Sequence, residues 1–513
     1  MPRQADATDK DAPILMRSLL LLAPLLTASA AAAPLPFDRH ALLEEYRAFL
    51  AVPNVPAERD GLARTAAQIV GMMEQRGLAP RLLSATTPGV PPALYGEWNV
   101  PGAARTVVFY AHYDGQPVDP AAWTDPPFEP ALRTGSLLAG APKRPFPRPD
   151  EPIDPDWRIY ARSASDDKLG VFALIAATGA LKRAGERPAV NVKLFFDGEE
   201  ETGSPHLREI QVRHKELLRG DLWLIIDGPV HPSGRKQVVF GVRSDVNVDV
   251  TLYGPTRPLH SGHYGNWAPN PAMRLAQLLA SMKDSDGRVT IDGWYDDVIP
   301  LTKAERDAIA AVGNDDAAQR AELGLARTEN GGRPLLELIT EPSLNVNGIR
   351  SGDVGTLARN AIPTTALATL DLRVVKGVSH KKQIERLRRH IERQGYLVLD
   401  RAPTDGERGK HALIATVVPK QGGYDASRTP MDTPLAKVVL KTVQSTTNLP
   451  VVALPSAGGS LPLVVIEGIL GAPTITVPLA NHDNNQHAED ENLRLGNLWD
   501  GIETLRALMR LEF

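Results

Sequence analysis

The 513-residue chain contains no cysteine, and this absence excludes disulfide bonds, thiolate metal sites and a cysteine nucleophile. Any transition-metal site must therefore be built from histidine and carboxylate ligands. An excess of charge of one sign is also absent, since 57 basic residues stand against 61 acidic ones, and this disfavours nucleic acid or a polybasic membrane patch as a partner. Hydrophobic residues make up 42% of the chain and charged residues 23%, a balance typical of globular domains.

Long hydrophobic runs are absent except for one short apolar segment near the start of the chain. Residues 19–26 are mostly leucine, follow a methionine–arginine–serine triplet and precede an alanine run. These features in this order predict a secretory signal peptide over residues 1–33, cleaved near residues 31–33. The protein is then expected to be exported, to a periplasm or to the cell exterior, with no membrane span; a buried N-terminal helix is the alternative interpretation.

Predicted strands and helices alternate through the first 240 residues. Apolar runs at Arg105–Ala111, Val190–Phe196 and Leu222–Ile226 are typical of buried strands, and Lys168–Arg183 of a buried helix. The alternation predicts an α/β sheet that binds ligands at the carboxyl ends of its strands. The Pro- and Asp-rich residues 116–158 interrupt the pattern and are predicted to form a long loop over the sheet.

The pattern changes near residue 240. Val246–Leu252 and Ala366–Val374 alternate apolar and polar residues, which is typical of half-buried antiparallel strands. We therefore predict an inserted α+β domain over residues 241–415. This insertion separates the two parts of the α/β domain, residues 34–240 and residues 416–513.

Histidine and carboxylate residues follow the predicted strands, or precede predicted helices, at five places. The residues concerned are His112 and Asp114, Asp166 and Asp167, Glu199 to Glu201, Asp227, and His482 and His487. Each place alone is weak evidence, because an aspartate often caps a helix and adjacent glutamates often form a solvated turn. All five together predict one site at the sheet edge, where imidazoles and carboxylates suit zinc or manganese. Two such ions close together need a shared carboxylate.

Five segments of the sequence resemble the M20 family of dimetal peptidases and amidohydrolases, and they are most similar to its carnosinase-like dipeptidase branch. The segments are residues 109–123, 161–170, 198–204, 259–265 and 341–355. The resemblance covers nearly all of residues 40–513. It implies an α/β fold class, with a mixed-sheet catalytic domain similar to zinc peptidases and an inserted α+β lid or dimerisation domain.

The resemblance also implies a role for each residue of the site. One metal ion would be held by His112, Asp227 and a bridging Asp166, and the other by Glu201, His487 and the same Asp166. Glu200 would be the general base towards a metal-bridged hydroxide, and Asp114 would orient His112. The two divalent ions would be zinc, with manganese or cobalt as alternatives. Glu199 and His482 would not be ligands.

Further residues are implied to bind the substrate. His260 would reach across a dimer interface to stabilise the tetrahedral oxyanion, so the resemblance implies a homodimer; a packed or solvent-facing histidine is the alternative. Arg373 would hold the substrate carboxylate through two parallel hydrogen bonds, unless it forms an ordinary ion pair on its strand. Asn360, Gly459 and Ser460 match other substrate contacts of the family.

One departure from the family bears on the substrate. Ser456-Ala457 stands where carnosinase-like dipeptidases have Arg-Glu, and that glutamate pairs with the free amine of a dipeptide. The predicted function is an exported dimetal exopeptidase or dipeptidase that cleaves a peptide or amide bond next to a residue with a free carboxylate. An N-acyl amino acid deacylase is one alternative and a catalytically inactive peptide-binding protein another; a serine hydrolase is disfavoured, because no Gly-x-Ser-x-Gly motif is present.

Overall fold

A computed structural model of the protein describes residues 37–313, 316–420 and 423–513. Its helices are, in chain order, α1 (Arg39–Leu50), α2 (Arg59–Gln75), α3 (Lys168–Arg183), α4 (Leu207–Arg213), α5 (Lys215–Leu218), α6 (Ser261–Tyr264), α7 (Pro271–Ala280), α8 (Lys303–Val312), α9 (Asp316–Glu322), α10 (Leu335–Leu338), α11 (His380–Arg393), α12 (Asp405–Lys410), α13 (Pro434–Gln444), α14 (Leu463–Leu470) and α15 (Leu495–Met509).

The strands of the described residues are short apart from a few long ones. They are, in chain order, β1 (Arg81–Leu83), β2 (Ala93–Trp98), β3 (Thr106–His112), β4 (Ala131–Arg133), β5 (Lys143–Arg144), β6 (Arg158–Tyr160), β7 (Asn191–Asp197), β8 (Leu222–Ile225), β9 (Gln237–Val239), β10 (Gly241–Tyr253), β11 (Leu259–His260), β12 (Ser343–Arg350), β13 (Ala361–Ile362), β14 (Thr365–Val374), β15 (Leu397–Leu399), β16 (Ile414–Pro419), β17 (Ser427–Arg428), β18 (Val452–Leu454), β19 (Ala457–Ser460), β20 (Thr474–Thr476) and β21 (Asn492–Arg494).

The first sheet is mixed and has helices on both faces. Its eight strands lie in the order β1-β2-β7-β3-β8-β20-β9-β18. Strand β3 runs parallel to β7 and to β8, whereas β2 is antiparallel to β7. Alternate residues of β3 enter opposite hydrophobic clusters, Phe109 towards α3 and α15 and Tyr110 towards α4 and α14. The predicted mixed-sheet α/β fold class is confirmed.

Three parallel strands of this sheet position the candidate site. Strand β3 ends at His112, β7 ends at Asp197 just before the glutamate turn, and β8 ends two residues before Asp227. Because parallel neighbours end at the same edge, residues far apart in the chain meet there. The prediction of a metal site at the sheet edge from the sequence rested on the same rule.

The second sheet is built around the long strand β10. Its main path runs β12-β14-β10-β16-β15, and the first residues of β10 also pair with β17 and β19. Buried and partly exposed residues alternate along β14, as expected for a strand covered on one face. Strand β16 continues to Pro419, so this sheet extends past the residue 415 at which the inserted domain was predicted to end.

The prediction of a long loop over residues 116–158 is wrong in part. Strands β4 and β5 lie inside this segment and form a small antiparallel sheet with β6 and β21. Strands of two or three residues between prolines leave no periodic signal in a sequence, and β6, with which β4 pairs, is itself paired with β21, more than 300 residues away. Only tertiary contact could reveal them.

The predicted signal peptide, residues 1–33, lies outside the described residues. Within the part of the chain that the structure describes, no helix is both long and apolar enough to cross a bilayer.

Candidate metal centre

Asp166 lies at the middle of the site and is almost fully buried. Its Oδ1 lies 3.0 Å from Nε2 of His112, and its Oδ2 lies 3.0 Å from Nε2 of His487. The two oxygens of one carboxylate therefore point to two histidines that are 375 positions apart in the sequence. This geometry is what a carboxylate shared by two metal ions requires.

Two groups of potential ligands share this carboxylate. In each group the ligand atoms lie within 4.8 Å of one another: His112, Asp166 and Asp227 form one, and Asp166, Glu201 and His487 form the other. These are the two ligand sets that the resemblance to the M20 family implies. Carboxylate oxygens and imidazole nitrogens at these spacings suit zinc and similar divalent ions.

The electrostatics of the site favour a cation. Burial and the neighbouring Asp166 raise the pKa of Asp227 to about 6 and the pKa of Glu201 to about 8. Burial alone would raise the pKa of Asp166 as well, but the two histidines hold it below its usual value. Several carboxylates thus compete for positive charge in a small buried volume, and a divalent ion would relieve their repulsion.

Asp114 positions both the first histidine and the glutamate turn. Its Oδ1 lies 3.4 Å from Nδ1 of His112, as expected for a group that fixes the ring. The same carboxylate accepts hydrogen bonds of 3.0 Å from the backbone N–H groups of Glu200 and Glu201. Asp114 therefore connects the end of β3 to the turn after β7.

Glu200 lies beside the ligand groups without belonging to either. Its Oε2 is 3.8 Å from Nε2 of His112, and its side chain lines the cavity next to the site. Burial raises the pKa of Glu200 well above its usual value. Glu199, by contrast, points away and pairs with His206 at 2.9 Å.

Glu491 is a positioning residue whose importance the sequence did not reveal. The fully buried carboxylate accepts hydrogen bonds from the backbone N–H groups of Ser163, Ser165 and Asp166 at 2.8–2.9 Å. It also pairs with Arg162 at 2.8 Å. The loop that carries Asp166 is thus held by a residue near the chain end, and an acidic residue four positions after His487 is the only sequence signal.

Other residues of the motifs have structural roles. Asp167 accepts hydrogen bonds from the N–H of His112 at 3.1 Å and of Gly170 at 3.0 Å, so it caps α3 and braces β3. The buried Lys168 ammonium donates to the carbonyls of Phe49 and Val52. His482 is exposed and belongs to neither ligand group.

Two of the predicted substrate residues line the cavity, and a third contacts one of them. Gly459 and Ser460 line it, and Nη1 of Arg373 donates to the Ser460 hydroxyl at 2.8 Å. Arg373 also pairs with Asp371 at 3.0 Å, which is the ion pair on its own strand that the alternative interpretation predicts. Tyr424, which the sequence analysis missed, interacts with the Ser460 side chain from the segment after β16.

His260 and Asn360 lie together elsewhere in the fold. They flank the small β11–β13 ladder, where the Asn360 carbonyl accepts from the Ser261 N–H at 2.9 Å. Both side chains are exposed, and neither lines the cavity beside the metal groups. His263 contacts the His260 ring, with centroids 4.6 Å apart.

The comparisons with known proteins agree with this geometry. Residues 108–511 match the sequence profile of peptidase family M20/M25/M40. The Beta-Ala-His dipeptidase of Homo sapiens is 26% identical over 428 residues, which cover 81% of this chain and 75% of that protein. The Cys-Gly metallodipeptidase of Candida albicans is 25% identical over 448 residues, 84% of each chain. A crystal structure of an M20 family metallo-carboxypeptidase from Sulfolobus solfataricus is similar with a TM-score of 0.74 at 27% identity, over 92% of this chain and 98% of that one.

Proposed function

The chain belongs to peptidase family M20/M25/M40 and is a peptide-bond hydrolase, and on this premise we propose that it is an exopeptidase that uses two divalent metal ions. The observation that carries the proposal is the shared carboxylate of Asp166, whose oxygens each lie 3.0 Å from a different histidine nitrogen. The two relatives named above are dipeptidases by name. We therefore propose dipeptides, or amides of similar size, as substrates.

The ligand groups fit zinc, and manganese or cobalt as alternatives, because they combine imidazoles with carboxylates and contain a bridging group. His112 and Asp227 would hold one ion, Glu201 and His487 the other. When bound, two such ions polarise the scissile carbonyl and lower the pKa of water. Asp114 and Glu491 keep the ligands in position through the hydrogen bonds described above.

Glu200 is proposed as the general base and acid. Its carboxylate lies at the cavity wall, where water and the scissile bond would meet, and it would take a proton from the attacking water. It would then deliver that proton to the leaving amine. Burial raises the pKa of Glu200 above its usual value, which makes its carboxylate a stronger base than that of an exposed glutamate.

Recognition of a free substrate carboxylate is proposed for Arg373. A guanidinium can bind a carboxylate through two parallel hydrogen bonds, and Asp371 and Ser460 hold this one in place. The substrate would be cleaved next to the residue that carries this carboxylate. Both a C-terminal peptide bond and the amide of an N-acyl amino acid meet this requirement.

A homodimer through the second sheet is also part of the proposal. Strand β12 is an edge strand of this sheet, and its residue Ile349 is 62% exposed. Trp267, Val354 and Leu357 are exposed apolar side chains in neighbouring segments. A second copy that covered them would bring its His260 towards the cleft.

Export through residues 1–33 stays a prediction.

Metal content and hydrolysis together test the proposed function. The full protein is purified without chelator, its metal content is measured, and release of the C-terminal residue from dipeptides and N-acyl amino acids is assayed with zinc, manganese and cobalt. We expect two ions per chain and hydrolysis that stops with chelator and returns with metal. Hydrolysis that persists in fully metal-free protein would contradict the proposal.

A further inference from the structure

The cavity beside the metal groups continues into a large pocket, which we call the apolar chamber. The whole cavity measures about 990 Å³, at the upper end of the roughly 300–1,000 Å³ found for small-molecule sites. Asp166, Glu200 and His487 line its metal end. The apolar chamber is lined by Val242, Ile299, Ile309, Leu335, Ile339 and Leu454.

The walls of the apolar chamber come from both sheets and from the helices between β10 and β12. Val312 of α8 and Leu336 of α10 pack against a buried cluster formed by β9 and β18 of the first sheet. The Arg235 guanidinium donates a hydrogen bond to the carbonyl of Val312 at 3.1 Å, and this contact holds the end of α8 beside β9 and β18. The apolar chamber is therefore built by the packing of this chain rather than by a loose surface loop.

The carboxylates of the apolar chamber are already engaged. Glu341 and Glu337 both pair with Arg333, at 2.8 Å and 3.7 Å. Asp316 accepts a hydrogen bond from the Leu335 N–H at 3.2 Å. Ala457, which also lines the cavity, offers only a methyl group. An ammonium group placed here would lose its hydration and would not find a carboxylate that is not already engaged in another interaction.

We propose that the apolar chamber binds the acyl side of the substrate, and that this side is a large, uncharged, apolar group. The inference rests on the proposed function and narrows it to amides in which an amino acid with a free carboxylate is joined to an apolar acyl chain or to an amine-blocked apolar residue. Burial of apolar surface in the chamber supplies the binding energy. An unblocked dipeptide would have to bring its charged amine to the chamber entrance.

A matched substrate pair isolates the charged amine. Leucyl-alanine and 4-methylpentanoyl-alanine differ only in the α-amine, and both release alanine. We expect the second to have the higher kcat/KM in the metal-loaded enzyme. In the series acetyl-, butyryl- and octanoyl-alanine, kcat/KM should rise by about two- to fourfold for each added methylene, since each is transferred from water to the chamber.

A double variant connects the preference to the apolar chamber. Ile299 and Leu335 line the chamber and are each 47% exposed, so Ile299→Gln with Leu335→Gln leaves the packed core intact. It should reduce kcat/KM for octanoyl-alanine about tenfold or more and leave acetyl-alanine nearly unchanged. The control Leu82→Gln with Val212→Gln removes similar exposed apolar surface outside the cavity and should change neither.

Each other outcome overturns the inference. Preference for leucyl-alanine, absence of a chain-length effect, or equal loss in the control variant would each do so. Faster cleavage of succinyl-alanine than of pentanoyl-alanine would assign the chamber to an acidic group instead, near the exposed Arg306. In all these cases metal-dependent hydrolysis continues and the proposed function stands. Loss of hydrolysis for every substrate with full metal loading would reject the proposed function and the inference together.

Discussion

At the scale of single residues, adjacent glutamates have different environments. The backbone N–H groups of Glu200 and Glu201 both donate hydrogen bonds to the carboxylate of Asp114. Only Glu201 joins a ligand group, while Glu200 lines the cavity and Glu199 pairs with His206. One tight turn thus presents a potential metal ligand, the proposed proton carrier and a structural ion pair.

Glu200→Gln tests the proton carrier. The amide keeps the size of the side chain but cannot accept a proton, so we expect kcat to fall by about 10²- to 10⁴-fold with metal content unchanged. Elemental analysis and steady-state kinetics check both quantities. Glu199→Gln is the matched control and should stay within about threefold of the parent enzyme. Near-normal turnover in Glu200→Gln would reject its role as base.

At the scale of elements, helix α8 is fixed to β17, which pairs with β10 of the second sheet, by a buried ion pair. Nε of Arg428 on β17 lies 3.1 Å from Oε1 of Glu305, and the two side chains are 8% and 2% exposed. Arg428 also donates to the Ile299 carbonyl at 3.0 Å. These contacts hold one wall of the apolar chamber, although nothing in the local sequence indicates that residues 305 and 428 meet.

Arg428→Met tests this attachment. Removal of one partner leaves a buried charge without compensation, which destabilises a structure by about 3–5 kcal/mol. We expect amide hydrogen exchange to accelerate in Lys303–Val312, while exchange in β3 and β7 stays slow. The exposed pair Lys303–Asp307 on the same helix provides the control, because Lys303→Met should cost only about 0.3–0.5 kcal/mol. Unchanged exchange in α8 of Arg428→Met would show that the pair is not required.

At the scale of the whole molecule, the proposed substrate groups are divided between two places. Gly459 and Ser460 line the same cavity as the metal groups and Arg373 contacts Ser460, whereas His260 and Asn360 lie at the separate two-stranded β11–β13 sheet. Within the described residues of one chain, His260 has no contact with either ligand group. In the homodimer proposal, His260 of a second copy of the chain completes the site.

Subunit mixing tests this shared site. The His260→Ala and Glu200→Gln homodimers should each be nearly inactive. Both sites of the first lack the histidine, and both sites of the second lack the general base. A mixed dimer has one intact site, so random mixing should restore about a quarter of the parent activity. Mixing Glu200→Gln with Glu201→Gln is the control and should restore nothing, since both changes damage the chain's own metal end. Mixed dimers that stay inactive in the first experiment would contradict a shared site.

The sequence by itself determined the fold class and the family, and both predictions are confirmed. Periodicity identified β3, α3, β7 and β8 to within one or two residues, because buried strands and helices repeat their apolar positions locally. Residue type alone restricted a metal site to histidine and carboxylate. The two ligand sets drawn from the family motifs coincide with the groups that the fold brings together.

Only the tertiary structure decided how these residues are held and what surrounds them. Glu491 beneath the Asp166 loop, Arg428 against Glu305, Tyr424 beside Ser460 and the β6–β21 pairing of the small sheet all depend on partners distant in the chain. Such contacts leave no local pattern, because neither partner carries a periodic signal. The apolar chamber is the clearest case, since its walls come from segments that meet only when both sheets have formed.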